Sequence, residues 1–190
     1  MGGNPPVIPV ALSNFLCTVN KDSGQRIMDC YQCGKCTAGC PAAASVDLTP
    51  RQVMRAIQLG MADAVLDSSM IWICLSCQTC TARCPCQIDI ARVMETLRLM
   101  SARENRAKER GIALFHRLFL RSVEAGGRIW ELGLGGFYNL GSGHPLANVN
   151  LLPSLLAKGK LDILPHRSKK AQEAVKRIFE RTAAVEGKKP

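Results

Sequence analysis

No run of 18 apolar residues occurs anywhere in the chain, so nothing in the sequence reads as a membrane-spanning helix. The best candidate, residues 112–120, is interrupted by His116 and Arg117. Aromatic residues are scarce, at 5%, which leaves few large side chains to fill a core and requires cohesion from elsewhere. The start lacks the charged region of a secretory leader: the first basic residue is Lys21, and the short apolar stretch 7–12 contains Pro9. An oxidising destination is therefore not expected, and a disulfide framework with it. The three histidines, His116, His144 and His166, stand in unrelated contexts without the spacing of metal ligands. There is no Gly-rich dinucleotide fingerprint and no paired nucleophile and base. The chain is not expected to turn over a substrate by itself.

Cysteine, by contrast, is abundant, with ten residues, and eight of them fall in two copies of one pattern. Residues 30–41 read CYQCGKCTAGCP and residues 74–85 read CLSCQTCTARCP, each position of the second lying 44 residues after its counterpart. C-x2-C-x2-C-x3-C-P gathers three thiols on one tight loop and sets a fourth apart. In two-cluster ferredoxins the fourth cysteine of each run ligates the cluster of the other run. The spacing thus assigns Cys30, Cys33, Cys36 and Cys84 to one [4Fe-4S] centre, and Cys74, Cys77, Cys80 and Cys40 to a second. Zinc fits less well, because it takes separated Cys pairs, or Cys with His, in a tetrahedron. Gly34 and Gly39 would let backbone N–H groups approach the sulfurs of the first loop. Gln78 and Arg83 stand in their places in the second, so the centres should differ in potential. The leftover cysteines, Cys17 and Cys86, are expected to be small apolar packing residues; the alternative, a ligand role for Cys86 beside Cys84, would break the symmetry of the repeat and is left out of the assignment.

Charge divides unevenly. Residues 1–100 carry 8 Lys/Arg against 7 Asp/Glu, and residues 101–190 carry 17 against 8, out of a formal net charge of +10. Two oxidised cubanes with their thiolates would bring the first half to about −3. The positive charges of the second half are interleaved with Glu, as in SARENRAKER, and accompany no recognition motif, so nucleic acid is not an expected partner.

The organisation reads as helical. Residues 1–29, with Pro5, Pro6, Pro9 and a turn-like stretch at 20–24, suggest an irregular N-terminal arm. Thr49 and Pro50 form a helix start, Val53, Met54 and Ile57 its apolar face, and Gly60 its end. A short helix follows at 61–66, and Trp72 is expected in the core. Asp89 caps a long helix carrying Ile90, Val93, Met94, Leu97 and Met100, expected to continue through 103–110 and stop at Gly111. Another amphipathic helix covers 112–124, with Ile112, Phe115, Phe119 and Val123 aligned. The Gly-rich, apolar stretch 129–156 shows little periodicity; either it folds back on the helical domain or, the favoured reading, it docks onto a partner protein. A last helix spans 168–184. The 33 residues between Cys40 and Cys74 read as helices, which excludes the βαβ ferredoxin and favours an all-α cluster domain. The expected division is an arm at 1–29, an α-helical ferredoxin domain at 30–110, and a helical and irregular docking extension at 111–190.

The runs CYQCGKCTAGCP and IWICLSCQTCTARCP, with the connector TPRQVMRAIQLG, resemble the C-type iron-sulfur component of heterodisulfide reductase over about residues 15–110. That resemblance implies an α-helical ferredoxin with two [4Fe-4S] clusters, relaying electrons from a flavin-bearing A-type component to a disulfide-reducing B-type one. It also implies an obligate hetero-oligomer in an anaerobic cytoplasm, associated in some members with hydrogenase or formate dehydrogenase modules. For a methanogen the substrate would be the mixed disulfide of coenzymes M and B. The CCG motifs of the B-type component are missing here. The competing resemblance is to the iron-sulfur proteins of respiratory succinate, glycolate or glycerol-3-phosphate dehydrogenases, which usually carry fused domains for which this chain has no room. Cys86 departs from the C-type pattern, where a non-cysteine residue follows the second Pro.

Overall fold

The computed structural model describes residues 13–147, 149–159, 162, 164–165 and 169–185, and these contain helices and turns but no strand. The chain divides into two compact units, 1–109 and 110–190.

In the first unit, α1 (Asn14–Ser23) opens where an irregular arm is expected. Ser13 caps it by accepting from Leu16 N, and Gly24, at φ +68°, closes it. Leu16 and Val19 are fully buried, and the helix packs on α3 and α7. A helix this short is marginal alone, so tertiary burial of one face overrides its turn-like sequence. The expected arm at 1–12 lies outside the described residues. Cys17 is exposed on α1 rather than packed.

A 3-10 turn (Ile27–Asp29) leads into the first cysteine run, whose only helix is the single turn α2 (Lys35–Ala38). The connector is α3 (Pro50–Gln58) and α4 (Ala62–Leu66). Thr49 and Gln52 form the capping box of α3, and Val53, Met54 and Ile57 are completely buried. Gly60, at φ +72°, ends α3 in a Schellman turn, with Met61 N donating to Ala56 O (2.9 Å). The short α5 (Met70–Ile73), holding buried Trp72, enters the second run, which contains α6 (Thr79–Ala82).

Helix α7 (Ile90–Arg103) is the spine of this unit, touching α1, α4, α5 and α6. Ile90, Val93, Met94 and Leu97 are buried, each contributing about 1.5–3 kcal/mol. The helix stops at Arg103, short of the expected Gly111. Asn105 adopts φ +54°, Arg106 N donates to Ser101 O (2.9 Å), and Arg106 then ion-pairs with Asp63, Asp67 and Glu104. Asn is one of the few residues that enters the left-handed region cheaply, so a Schellman end forms inside a run whose charges read as helix.

Asp47 ties the connector to the second cysteine run. Its carboxylate accepts from Ser68 Oγ (2.7 Å), Ser69 N (3.0 Å), Ser69 Oγ (2.9 Å) and Lys108 Nζ (2.8 Å), fixing the start of α5. Burial opposes its ionisation, but the hydrogen bonds from Lys108, Ser68 and Ser69 outweigh it and hold the carboxyl well below the usual range.

The second unit contains α8 (Arg110–Gly126), α9 (Glu131–Gly141), a 3-10 turn (Val149–Leu151), α10 (Leu152–Ala157) and α11 (Lys169–Val185). The expected stop at Gly111 is instead the first turn of α8. The stretch expected to lack regular structure is helical in α9, although its sequence runs GLGG. Trp130 covers Gly133, Leu114 packs on Gly141, and the Tyr138 hydroxyl lies by Gly111, so close helix approach stabilises what propensity disfavours. The first residue of the expected last helix, Ser168, lies outside the described residues.

Asp47→Asn should lower the stability of the iron-loaded first unit by about 1–3 kcal/mol at neutral pH in anaerobic thermal unfolding. A lowered folded pKa gives stability that is fully present above the ordinary carboxylate value near 4 and is lost progressively as pH falls from there through the lower folded pKa, so the deficit should shrink in acid.

Candidate metal centre

The two cysteine runs fold alike at the backbone. Gln32 and Gly34 take φ +64° and +83°, and their counterparts Ser76 and Gln78 take +51° and +63°. For Gly34 this conformation is free; for Gln32, Ser76 and Gln78 it costs roughly 1 kcal/mol or more each. Each run then makes one helical turn, and the amides of Cys40 and Cys84 donate to the carbonyls of Thr37 and Thr81 (both 3.1 Å). The chain leaves both runs by the same turn, Ala43 N to Cys40 O (3.2 Å) and Gln87 N to Cys84 O (3.1 Å). Backbone strain repeated at matching places marks these loops as shaped for a guest.

Helices α2 and α6 pack against each other, so each loop lies beside the other's fourth cysteine. Gly39 makes room for this: a Cβ there would meet Arg83 Nη1 at 2.5 Å and Thr79 Cγ2 at 3.2 Å. The result is two thiol-lined hollows. The first is bordered by Cys30, Cys33, Cys36 and Cys84, with Tyr31, Arg51 and Ile90. The second is bordered by Cys74, Cys77, Cys80 and Cys40, with Pro50, Met70 and Met94. Helix α7 serves both, giving Ile90 to one and Ala91 and Met94 to the other. All eight cysteines singled out by the spacing are thus gathered, four to a hollow, with one in each four coming from the other run.

One residue of this region is not apparent from the spacing. Cys86 borders the first hollow beside Cys84, making five thiols there against four in the second. Its counterpart 44 residues earlier is Ala42, which borders the second hollow. That one-for-one replacement of a buried alanine is the signal the sequence carries for it.

Local hydrogen bonds to sulfur differ between the copies. Gln32 Nε2 donates to Cys30 Sγ (3.4 Å), whereas Cys77 Sγ lies 3.4 Å from Thr79 Oγ1. Hydrogen bonds from Thr79 lower the Cys77 thiol pKa. Burial raises the thiols of Cys30, Cys36 and Cys80, with the neighbouring cysteines adding to the effect at Cys30. Metal bound there would have to displace those protons, because the thiolate is the ligand.

The donor set fits an iron–sulfur group. The hollows offer five and four soft thiols, and neither lining contains an imidazole or a carboxylate. The thiols stand around a space rather than converge on a point. Among the described residues no three Cys, His, Asp or Glu side chains are grouped so as to hold a single metal ion.

Residues 29–89 match the family model described as a 4Fe-4S dicluster domain. The iron-sulfur C 2 protein of CoB–CoM heterodisulfide reductase from Methanocaldococcus jannaschii is 34% identical over 121 residues, 60% of this chain and 62% of that protein. The C2 component of the H2/formate:CoB–CoM heterodisulfide,ferredoxin reductase of Methanococcus maripaludis is 41% identical over 83 residues, 43% of this chain and 45% of that one. The C component of the H2:CoB–CoM heterodisulfide,ferredoxin reductase of Methanothermobacter thermautotrophicus is 27% identical over 161 residues, 84% and 76% of the two chains. The chain spans less than two-thirds of the first two relatives. In its doubled cysteine run and its helical fold, the chain is similar to the C-type iron-sulfur proteins of heterodisulfide reductase, and its residues 29–89 carry a 4Fe-4S dicluster domain.

Proposed function

We propose that Cys30, Cys33, Cys36 and Cys84 hold one [4Fe-4S] centre, that Cys74, Cys77, Cys80 and Cys40 hold a second, and that the chain relays electrons between partners within a heterodisulfide reductase-like complex. The observation that supports this best is the exchange of fourth cysteines between two hollows that share one helix. When bound, such centres supply one-electron transfer.

The chain's own residues do the rest. The eight thiolates bind. The left-handed positions at 32, 34, 76 and 78 curl the loops, a conformation that presents successive N–H groups to an anionic guest. Ile90, Met70, Met94 and Pro50 keep water from the inner walls. Helices α2 and α6 hold the loops side by side, which keeps the path between centres short. Among the described residues no helix is long and apolar enough to cross a membrane.

Partners are expected to supply the electron source and the disulfide site, as A-type and B-type components, with a hydrogenase or formate dehydrogenase module upstream. The mixed disulfide of coenzymes M and B, named in the relatives' own descriptions, is the expected substrate of the whole complex. The second unit serves as the docking extension. Phe137, Leu140 and Leu146 are 61%, 68% and 79% exposed, a large apolar presentation for a small helical unit.

Anaerobically prepared protein should contain about eight iron and eight acid-labile sulfide per chain; colourless protein carrying two zinc ions would refute the cluster reading. Cys40→Ser should damage the centre of the second run, and Cys84→Ser that of the first, each seen by EPR with the other signal intact. Cys86→Ser should spare both. Damage confined to the centre of the mutated residue's own run would rule out the exchange. Introducing Phe137→Glu and Leu140→Glu together should release the chain from its complex at full iron content, whereas unchanged co-purification would place docking elsewhere.

A further inference from the structure

The two cysteine loops are gripped at equivalent backbone positions by different side chains. Gln58 Nε2, from α3, donates to the carbonyls of Ile27 (3.1 Å) and Cys30 (2.8 Å). Forty-four residues on, the carbonyls of Ile71 and Cys74 accept from Arg98 Nε (2.7 Å) and Nη2 (2.8 Å), on α7. The same pair of acceptors, in the same relation to the first cysteine of the run, is held once by a neutral amide and once by a guanidinium.

Arg98 is half-buried, and among the described residues it makes no ion pair. Glu95, one turn earlier on α7, is exposed and outside ion-pair distance. A partly desolvated cation held only by two carbonyl dipoles is poorly compensated. The lining of the second hollow, which begins at the residue Arg98 grips, contains no charged side chain apart from its thiols. A negative group seated among Cys74, Cys77, Cys80 and Cys40 would supply the missing counter-charge.

Resting on the two-centre reading, we infer that Arg98 is the built-in counter-charge of the second centre and raises its reduction potential. Reduction adds negative charge, and a fixed nearby cation stabilises the more negative form. Gln58 performs the positioning half of this task in the first copy and adds no charge. Arg51 borders the first hollow but is exposed, so water and salt screen it and its leverage on that centre is smaller. Arg98 is therefore a positioning residue for the Cys74 loop whose charge also biases electrons towards the second centre.

The test is an anaerobic redox titration of the iron-loaded chain followed by EPR, with iron analysis alongside. Arg98→Gln offers the two carbonyls an amide, as Gln58 does, and removes the charge. Expected is full iron content and a midpoint moved negative for one centre only, the one that Cys40→Ser damages. Arg98→Lys keeps the charge and gives up the planar fork, so its midpoint should stay near that of the wild type. Arg51→Gln should move the first centre by less. Unmoved midpoints in Arg98→Gln at full iron content overturn the inference. So does an equal shift in Arg98→Lys, which would assign the effect to hydrogen-bond geometry. Loss of iron from both variants makes Arg98 purely structural and also overturns it; loss from Arg98→Gln alone supports the need for the charge. Wild-type protein without two centres would fail the cluster reading itself, before any variant is compared.

Discussion

A cysteine run of this spacing presents three thiols on its own loop, and in the structure the fourth thiol bordering each hollow comes from the other run. That exchange sets the two loops side by side, although 33 residues of connector separate Cys40 from Cys74. Helices α3 and α4 fold the connector back so that α2 meets α6, Gly39 leaves space for Arg83 at the contact, and α7 closes over both hollows.

The same constraint explains why so small a unit is stable with so few aromatics. Its apolar core, centred on Val53, Met54, Ile57, Val93, Met94 and Leu97, packs α3, α4 and α7 into a brace. The loops that carry the thiols have little core of their own, and three non-glycine residues in them bear the cost of left-handed backbone. Burial, partial at Cys30 and Cys80, raises the thiol pKa of Cys30, Cys36 and Cys80, so a metal ion binding there must displace the proton. Binding free energy for the guest is in this sense folding free energy for the loops, while the helical brace draws on ordinary burial.

How far the sequence speaks depends on the range of the forces involved. The doubled cysteine spacing, the Thr49–Pro50 start of α3, the Asp89 cap of α7 and the buried stripe along α7 are local signals, and all are visible in the chain as written. What stayed hidden depends on partners distant in sequence. Helix α1 forms because Leu16 and Val19 bury against α3 and α7; α9 forms because Trp130 and Leu114 fill the space beside glycines. The end of α7 turns on Asn105 entering the left-handed region, a choice supported by Arg106 reaching Asp63 and Asp67. Cys86 is a separate case: it neighbours Cys84 in the sequence, but only the fold turns it onto the wall of the first hollow.

The repeat is closest where the backbone must do the same work twice, and it diverges where chemistry can differ. Left-handed positions, single helical turns and exit turns recur 44 residues apart with matching hydrogen bonds. The side chains around them do not: Gln32 against Ser76, Lys35 against Thr79, Gly39 against Arg83, Ala42 against Cys86. A duplicated loop under a shared geometric constraint can vary only in what it places near the sulfurs, and there the two copies have separated. Two identical centres would give an electron no preferred resting place. Different amide and hydroxyl neighbours at Cys30 and Cys77, and a neutral against a cationic grip on the two loop entrances, are where the copies differ, and on the proposed two-centre reading they would make the centres unequal.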